Sequence, residues 1–453
     1  MTDIVLSTDT TEQQLVLGQG TTFTLEAGVN LTVTGGVAAR SFGADASALI
    51  FDVQGALTSD ADGIGLYRGS GHTVTVGTLG SIAVSGIGLD ALRTSSGSYT
   101  IEGSISSTGA EAVALGSDDW LINYGTLSTA ASGDADLGAI TQTGSNRVSN
   151  YGDVTADASA AITGDTGLDL RNGADIAGVG SVIDISADDG ALIVISNSGT
   201  VSGGDIALSL DATTGGITVA NTGTLTGAVS AIVLTGDGDH ALKNRGTIEG
   251  DVVLAGGADS FDGRGGSVLG DVLAGAGNDN VWGGDLADSL FGEGGNDFIK
   301  GGLGNDNIFG GANNDRLFGG ADDDMVRGGS GDDRLWGNSG DDLLEGGLGS
   351  DNLNGGAGND VLNGDEGDDV LFGRFGDDTI DGGEGNDLVK LTGAQADYTF
   401  LLLESGAVQI TDNTADRDGV DTVSNVEQVQ FIGDDGALVD LSTLTAASVE
   451  VLG

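Results

Sequence analysis

The sequence predicts an all-β chain of stacked parallel coils. An amino-terminal parallel β-helix with coils of about 24 residues leads into a nonapeptide β-roll, and a small β cap follows. Three observations carry this. A nine-residue repeat runs unbroken from Ala274 to Lys390, a looser repeat marked by Asn-x-Gly precedes it, and the composition suits both. Among 453 residues there are 85 Gly, no Pro and no Cys, and the 38% that are hydrophobic recur between the glycines in short, β-branched runs. So much glycine without a collagen triplet would suggest disorder. The regular return of aliphatic residues argues for strands instead.

The looser repeat comes first in the chain. Its instances are "NYGTL" at Asn123, "NYGDV" at Asn150, "NGADI" at Asn172, "NSGTV" at Asn197, "NTGTL" at Asn221 and "NRGTI" at Asn244, spaced by 27, 22, 25, 24 and 23 residues. Each unit holds short apolar runs such as "AIVL" and "GITVA", too short for helices. A unit of this length makes one coil of a parallel β-helix, which buries its face only by stacking on its neighbours. Asn at this place suits a left-handed coil corner, and equivalent Asn side chains can stack in a ladder.

The tighter repeat gives thirteen consecutive registers from Ala274 to Lys390. Its sixth position is Asp279, Asp288, Asp297, Asp306, Asp315, Asp324, Asp333, Asp342, Asp351, Asp360, Asp369, Asp378 and Asp387. The eighth is always aliphatic, from Val281 and Leu290 to Ile380 and Val389, and the first is Gly in twelve of the thirteen. Two nonapeptides make one turn, so residues 18 apart lie on the same edge. The aliphatic residue points inward, and the glycines let the loop turn its carbonyl oxygens towards a shared centre. Asp adds a hard carboxylate, and two stacked loops offer roughly six oxygens, as calcium prefers.

The block resembles the glycine-rich, aspartate-containing repeats of the RTX (repeats-in-toxin, hemolysin-type) family. That resemblance implies multiple bound Ca2+ ions, with all thirteen aspartates as metal ligands and up to about eleven intercalated sites. Aspartates 18 residues apart, such as Asp306 and Asp324, are expected to flank one ion. The loop starting at Gly283 is the weakest, because Leu286 and Ala287 replace its usual Gly and Asn or Asp. Charge supports a cation: 26 acidic residues face 6 basic ones between Ala274 and Lys390. Carboxylates stacked about 4.8 Å apart would repel strongly without one. Magnesium fits less well because it dehydrates reluctantly, and transition metals lack Cys and have only 2 His to use.

The formal net charge of −54 argues against nucleic acid or an anionic membrane surface as a direct partner. No stretch approaches eighteen consecutive apolar residues, so no membrane span is expected. The start, "MTDIVLSTDTTEQQLVLGQG", does not read as a secretory signal, and the tail "LSTLTAASVEVLG" is similar to uncleaved signals read by type I secretion machinery. The expectation is an extracellular, cell-surface protein exported without an amino-terminal signal peptide. Self-association and a cell-surface polysaccharide are its candidate partners.

An enzyme is the competing class. The two histidines, His72 and His240, are far apart and read as surface turn residues, and no Gly-x-Ser-x-Gly elbow is present. The alginate epimerase type, a β-helix before RTX repeats, has an Asp-Pro-His motif that a proline-free chain lacks. The doublets Asp118-Asp119 and Asp188-Asp189 read as β-helix corners, and aromatic residues look sparse and scattered. A non-enzymatic structural protein is favoured over a polysaccharide-modifying enzyme. The expected organisation is β-helix over 1–250, a continuous junction coil over 251–273 in which "GGADSF" resembles a degenerate nonapeptide, β-roll over 274–390, and cap over 391–453. Within the cap, "ADYTFLLLESGAVQITDN" reads as a hairpin turning at Ser405-Gly406.

Overall fold

The computed structural model describes residues 3–441 except for segments at 7–9, 13–14, 18–21, 34–38, 42–49, 60–62, 67–71, 85–87, 92–95, 109, 131–138, 158–159, 188–190, 214 and 416. Asp188, Asp189 and the tail from 442 onward lie outside the described residues. Those described form strands, turns and two short 3-10 segments, Gln395–Asp397 and Ile432–Asp434. The chain divides into two compact units, Met1–Val253 and Leu254–Gly453, with the division inside the 251–273 stretch.

The first unit is a parallel β-helix with three strands to a coil. One ladder stacks Ser98–Ile101, Trp120–Asn123, Asn146–Asn150, Leu168–Asn172, Ile193–Asn197, Ile217–Asn221 and Ala241–Asn244, all parallel. A second carries the strands after each Asn, and a third closes the coil with segments such as Ser181–Ala187 and Ile206–Ala212. Side chains alternate, and the inward Ile, Leu and Val residues, including Ile195, Val219, Leu225 and Ile248, are 0% exposed.

The repeating Asn residues form the expected ladder. Asn123 Nδ2 donates to Asn150 Oδ1 at 2.8 Å, and the chain continues through Asn172, Asn197 and Asn221 to Asn244 at 2.8–2.9 Å. All six are buried, so each amide in the row depends on the next. The backbone reason differs from the sequence expectation, because none of them has a positive φ. They end strands in extended conformation, and glycine follows for space. A methyl on Gly125, Gly152, Gly223 or Gly246 would come within 1.8–2.1 Å of a carbonyl in the preceding coil. The histidines also differ, since His72 and His240 are 0% and 1% exposed. His240 Nδ1 accepts the Ile217 amide at 3.2 Å, and burial lowers its pKa. Both help to fill coils. Asp119 closes a corner, taking the Gly97 and Gly116 amides at 2.7 and 2.8 Å.

The second unit is a flattened roll with two strands to a turn. Phe298–Leu303, Arg316–Ala321, Arg334–Ser339, Asn352–Ala357 and Val370–Phe375 stack in parallel on one side, each 18 residues from the last. Asn307–Ala312, Met325–Ser330, Leu343–Leu348 and Val361–Glu366 do so on the other. All thirteen eighth-position aliphatics are 0% exposed and form the core. Second-position glycines such as Gly302, Gly320 and Gly347 hold φ of 129°, 137° and 109°. Glu293, Asn338, Asp365 and Arg374 adopt φ of 71–80° at the same place, where a side chain is strained.

The cap closes the roll's carboxy-terminal end. Tyr398–Leu402 and Val408–Asp412 form the expected hairpin, with Gly406 at φ 94°. Val420–Ser424 then adds in parallel to Thr379–Asp381, and Gln428–Phe431 adds to Leu388–Leu391. Each is covered by an antiparallel neighbour, Val408–Asp412 and Ala437–Asp440 respectively. Antiparallel pairing thus ends the parallel series at this end, as the expected cap requires.

Replacing Asn197 by Ala leaves the amides of two neighbours short of a partner, and chemical denaturation is expected to show a loss of about 1–3 kcal/mol. Glu293→Gly relieves a left-handed side chain and is expected to stabilise the calcium-loaded roll by up to about 1 kcal/mol in the same measurement.

Candidate metal centre

The sixth-position aspartates form two columns, one along each edge of the roll. On one edge the Asp279 amide donates to Asp297 Oδ1, Asp297 to Asp315, Asp315 to Asp333, Asp333 to Asp351 and Asp351 to Asp369, at 2.7–2.8 Å. On the other the series runs from Asp288 through Asp306, Asp324, Asp342 and Asp360 to Asp378, at 2.8–2.9 Å. Neighbours 18 residues apart are therefore in direct contact, as the repeat length requires.

Only one oxygen of each carboxylate is used this way. In twelve of the thirteen, from Asp279 and Asp297 to Asp387, Oδ2 is buried and has no hydrogen-bond partner. It points at a place only glycine keeps open. A methyl on Gly301 would lie 2.0 Å from Asp306 Oδ2 and 2.7 Å from the Gly319 carbonyl oxygen of the next turn. Gly310 repeats this with Asp315 Oδ2 and the Gly328 oxygen at 2.3 and 2.7 Å, and Gly337 with Asp342 Oδ2 and the Gly355 oxygen at 2.2 and 2.6 Å. A buried carboxylate oxygen beside a main-chain carbonyl oxygen is a hard, all-oxygen donor set. Among the described residues no three His, Cys, Asp or Glu side chains gather into a metal-holding group. Carbonyls such as those of Gly319, Gly328 and Gly355 can supply further ligands beside each Oδ2, which suits calcium.

The exception is Asp288. It is only partly buried, and its Oδ2 accepts the Gly284 amide at 2.6 Å inside its own loop. This is the loop where Leu286 and Ala287 break the pattern, so the sequence weakness has a structural counterpart.

Both columns extend beyond the nonapeptides. The Asp259 amide donates to Asp279 Oδ1 at 2.7 Å, which places "GGADSF" on the ladder. At the far end the Asp378 amide donates to Asp421 Oδ1 at 3.0 Å and the Asp387 amide to Glu427 at 2.9 Å. The nine-residue period missed Asp421 and Glu427 because no glycine loop precedes them. A signal was present in "DTV" and "EQV", which keep the acid-x-aliphatic spacing of positions six to eight. A shallower ladder follows position five, where the Asn314 amide donates to Asn296 and the Asp341 amide to Asp323 at 2.9 Å.

Burial without a counter-charge raises these carboxyls. Desolvation, with backbone hydrogen bonds opposing and neighbouring aspartates adding, pushes Asp306 and Asp315 up to about 8. Asp324, Asp351 and Asp360 rise to about 7, and Asp421 to about 9. A folded-state value above the unfolded one means stability that is complete below about pH 4 and lost as pH rises through the folded values. In chelator, circular dichroism is thus expected to show the roll's strand signal near pH 5 and its loss by about pH 8. Calcium should restore it at the higher pH. Asp333→Asn keeps the Oδ1 acceptor but replaces the unpartnered oxygen. Calorimetric titration should then give fewer calcium ions per chain, whereas Asp288→Asn leaves the number unchanged.

No curated protein matches the chain. The family model of the RTX calcium-binding nonapeptide repeat (4 copies) matches residues 272–299, 282–317, 291–326, 318–353 and 354–389. With its columns of half-satisfied aspartates and its glycine-shaped loops, this part of the chain is an RTX nonapeptide roll that binds several calcium ions.

Proposed function

We propose that the protein is a secreted, calcium-folded structural element of the cell surface that self-assembles, and that it is not an enzyme. The observation carrying this is the row of buried Oδ2 atoms without partners. At neutral pH these groups oppose folding until a cation arrives, so calcium-binding free energy becomes folding free energy. Extracellular calcium modules bind at about 10⁻⁴ to 10⁻³ M. At cytosolic calcium the roll stays unfolded and fit to thread through a type I secretion channel, and it folds outside. The twelve sixth-position aspartates other than Asp288 act in this way, each shared between two stacked loops.

A polysaccharide-modifying role is the second reading, and one groove favours it. A cavity of about 570 Å3 on the β-helix is lined by Asp118, Trp120, Arg147, Asp169 and Arg171. Trp120 is 45% exposed, with the Arg147 guanidinium 5.6 Å from its ring centre and paired to Asp169 at 3.0 Å. Incubation with acidic polysaccharides and an assay for new reducing ends tests this reading, and the structural role predicts none.

For the main reading, circular dichroism and electron microscopy across a calcium titration are expected to show strand signal and polymers rising together towards millimolar calcium. A folded chain that stays monomeric at high concentration would contradict self-assembly while leaving calcium-coupled folding intact.

A further inference from the structure

One face of the roll departs from the acidity of everything around it. On the strands between Asn280–Trp282 and Val370–Phe375, the outward positions on this side are seven and nine of alternate repeats. They carry Lys300, Arg316 and Arg334 and no Asp or Glu, in a block with 26 acidic residues against 6 basic. Arg316 and Arg334 are exposed and directly opposite each other in the parallel register. Neither has a carboxylate within ion-pair distance among the described residues. Like charges on neighbouring rungs cost stability, so this pair is not explained by the fold. On the opposite face Arg327 is paired with Glu345.

Beside the arginines runs a chain of half-exposed rings. Trp282 and Phe298 have centres 6.0 Å apart, Phe298 and Phe318 5.4 Å, and Phe318 lies parallel to Trp336 at 4.4 Å. Arg264 and Lys300 sit over Trp282 and Phe318 at 5.6 and 5.4 Å. Trp282 and Phe318 border a cavity of about 550 Å3 floored by the glycines at 283–284, 301–302 and 319–320. Aromatic residues with arginine are enriched in protein interface cores; Asp262, opposite Trp282, is paired with Arg264, and Asp332 and Asp333 line the groove beside Arg316 and Arg334.

We infer that this face docks a second copy of the chain, seated against an acidic edge of that copy's roll. The inference rests on the self-assembly reading above. Charge selects the occupant: a chain of net charge −54 offers acidic surface, and the cationic face complements it. Period selects the edge. Arg316 and Arg334 are 18 residues and one rung apart, as are the exposed Asp323 and Asp341, so the two rows match without slippage. A face meeting a different surface is a heterologous contact, which propagates into an open filament unless its rotation closes a ring. Extension through the roll's carboxy-terminal coil is blocked by the antiparallel cap strands.

The test is sedimentation velocity of the full chain in millimolar calcium, with circular dichroism confirming that each variant folds. The unmodified chain should assemble. Arg316→Glu with Arg334→Glu should raise the concentration needed by at least about tenfold, and Trp336→Ala should weaken assembly independently of the charges. Asp323→Asn with Asp341→Asn, which keeps the Oδ1 acceptors, should weaken it as well. Full assembly of the arginine variant would overturn this interface and leave self-assembly standing. An unmodified chain that stays monomeric, while its arginines bind polygalacturonate as a probe, would overturn both.

Discussion

Everything in the carboxy-terminal unit depends on one constraint: carboxylates stacked at the rung spacing of a parallel sheet. Each aspartate gives one oxygen to the amide of the turn before it and leaves the other buried, as at Asp306 and Asp324. The first oxygen fixes the stacking register, and the second makes that register costly without a cation. The aliphatic eighth positions supply a core one residue wide per loop, and Ile308 or Leu335 alone cannot offset a column of desolvated charge. On the proposed reading the metal completes this core.

The amino-terminal unit meets the same geometry with a different side chain. Its stacked polar residue is Asn, which carries donor and acceptor together, so Asn150 takes a hydrogen bond from Asn123 and gives one to Asn172. A neutral amide satisfies its neighbour where a carboxylate repels it. On the proposed reading, only the second unit takes part of its folding free energy from an ion.

How much of this was legible in the sequence follows from what repeats. The Asp columns and the aliphatic core recur at fixed spacing and the Asn ladder at a looser one of 22–27 residues, and the structure stacks them as those periods imply. What escaped was set by stacking and not by period. The glycines after Asn answer to a carbonyl in the preceding coil, and His72 and His240 are buried by neighbours far away in sequence. Asp421 and Glu427 join the columns across 43 and 40 residues of cap. Aromatics that looked scattered are brought together by the 18-residue turn, as Phe318 and Trp336 show. The weak loop at Gly283 was legible as well, since the second oxygen of its Asp288 is taken by its own loop.

Amide hydrogen exchange on the full chain, with calcium and with chelator at neutral pH, tests the central claim most directly. Amides of residues 289–375 should be protected only with calcium, while those of the Asn-ladder strands from Trp120–Asn123 to Ala241–Asn244 stay protected in both. Protection of the roll that persists in chelator would show that the stacked carboxylates do not need the ion.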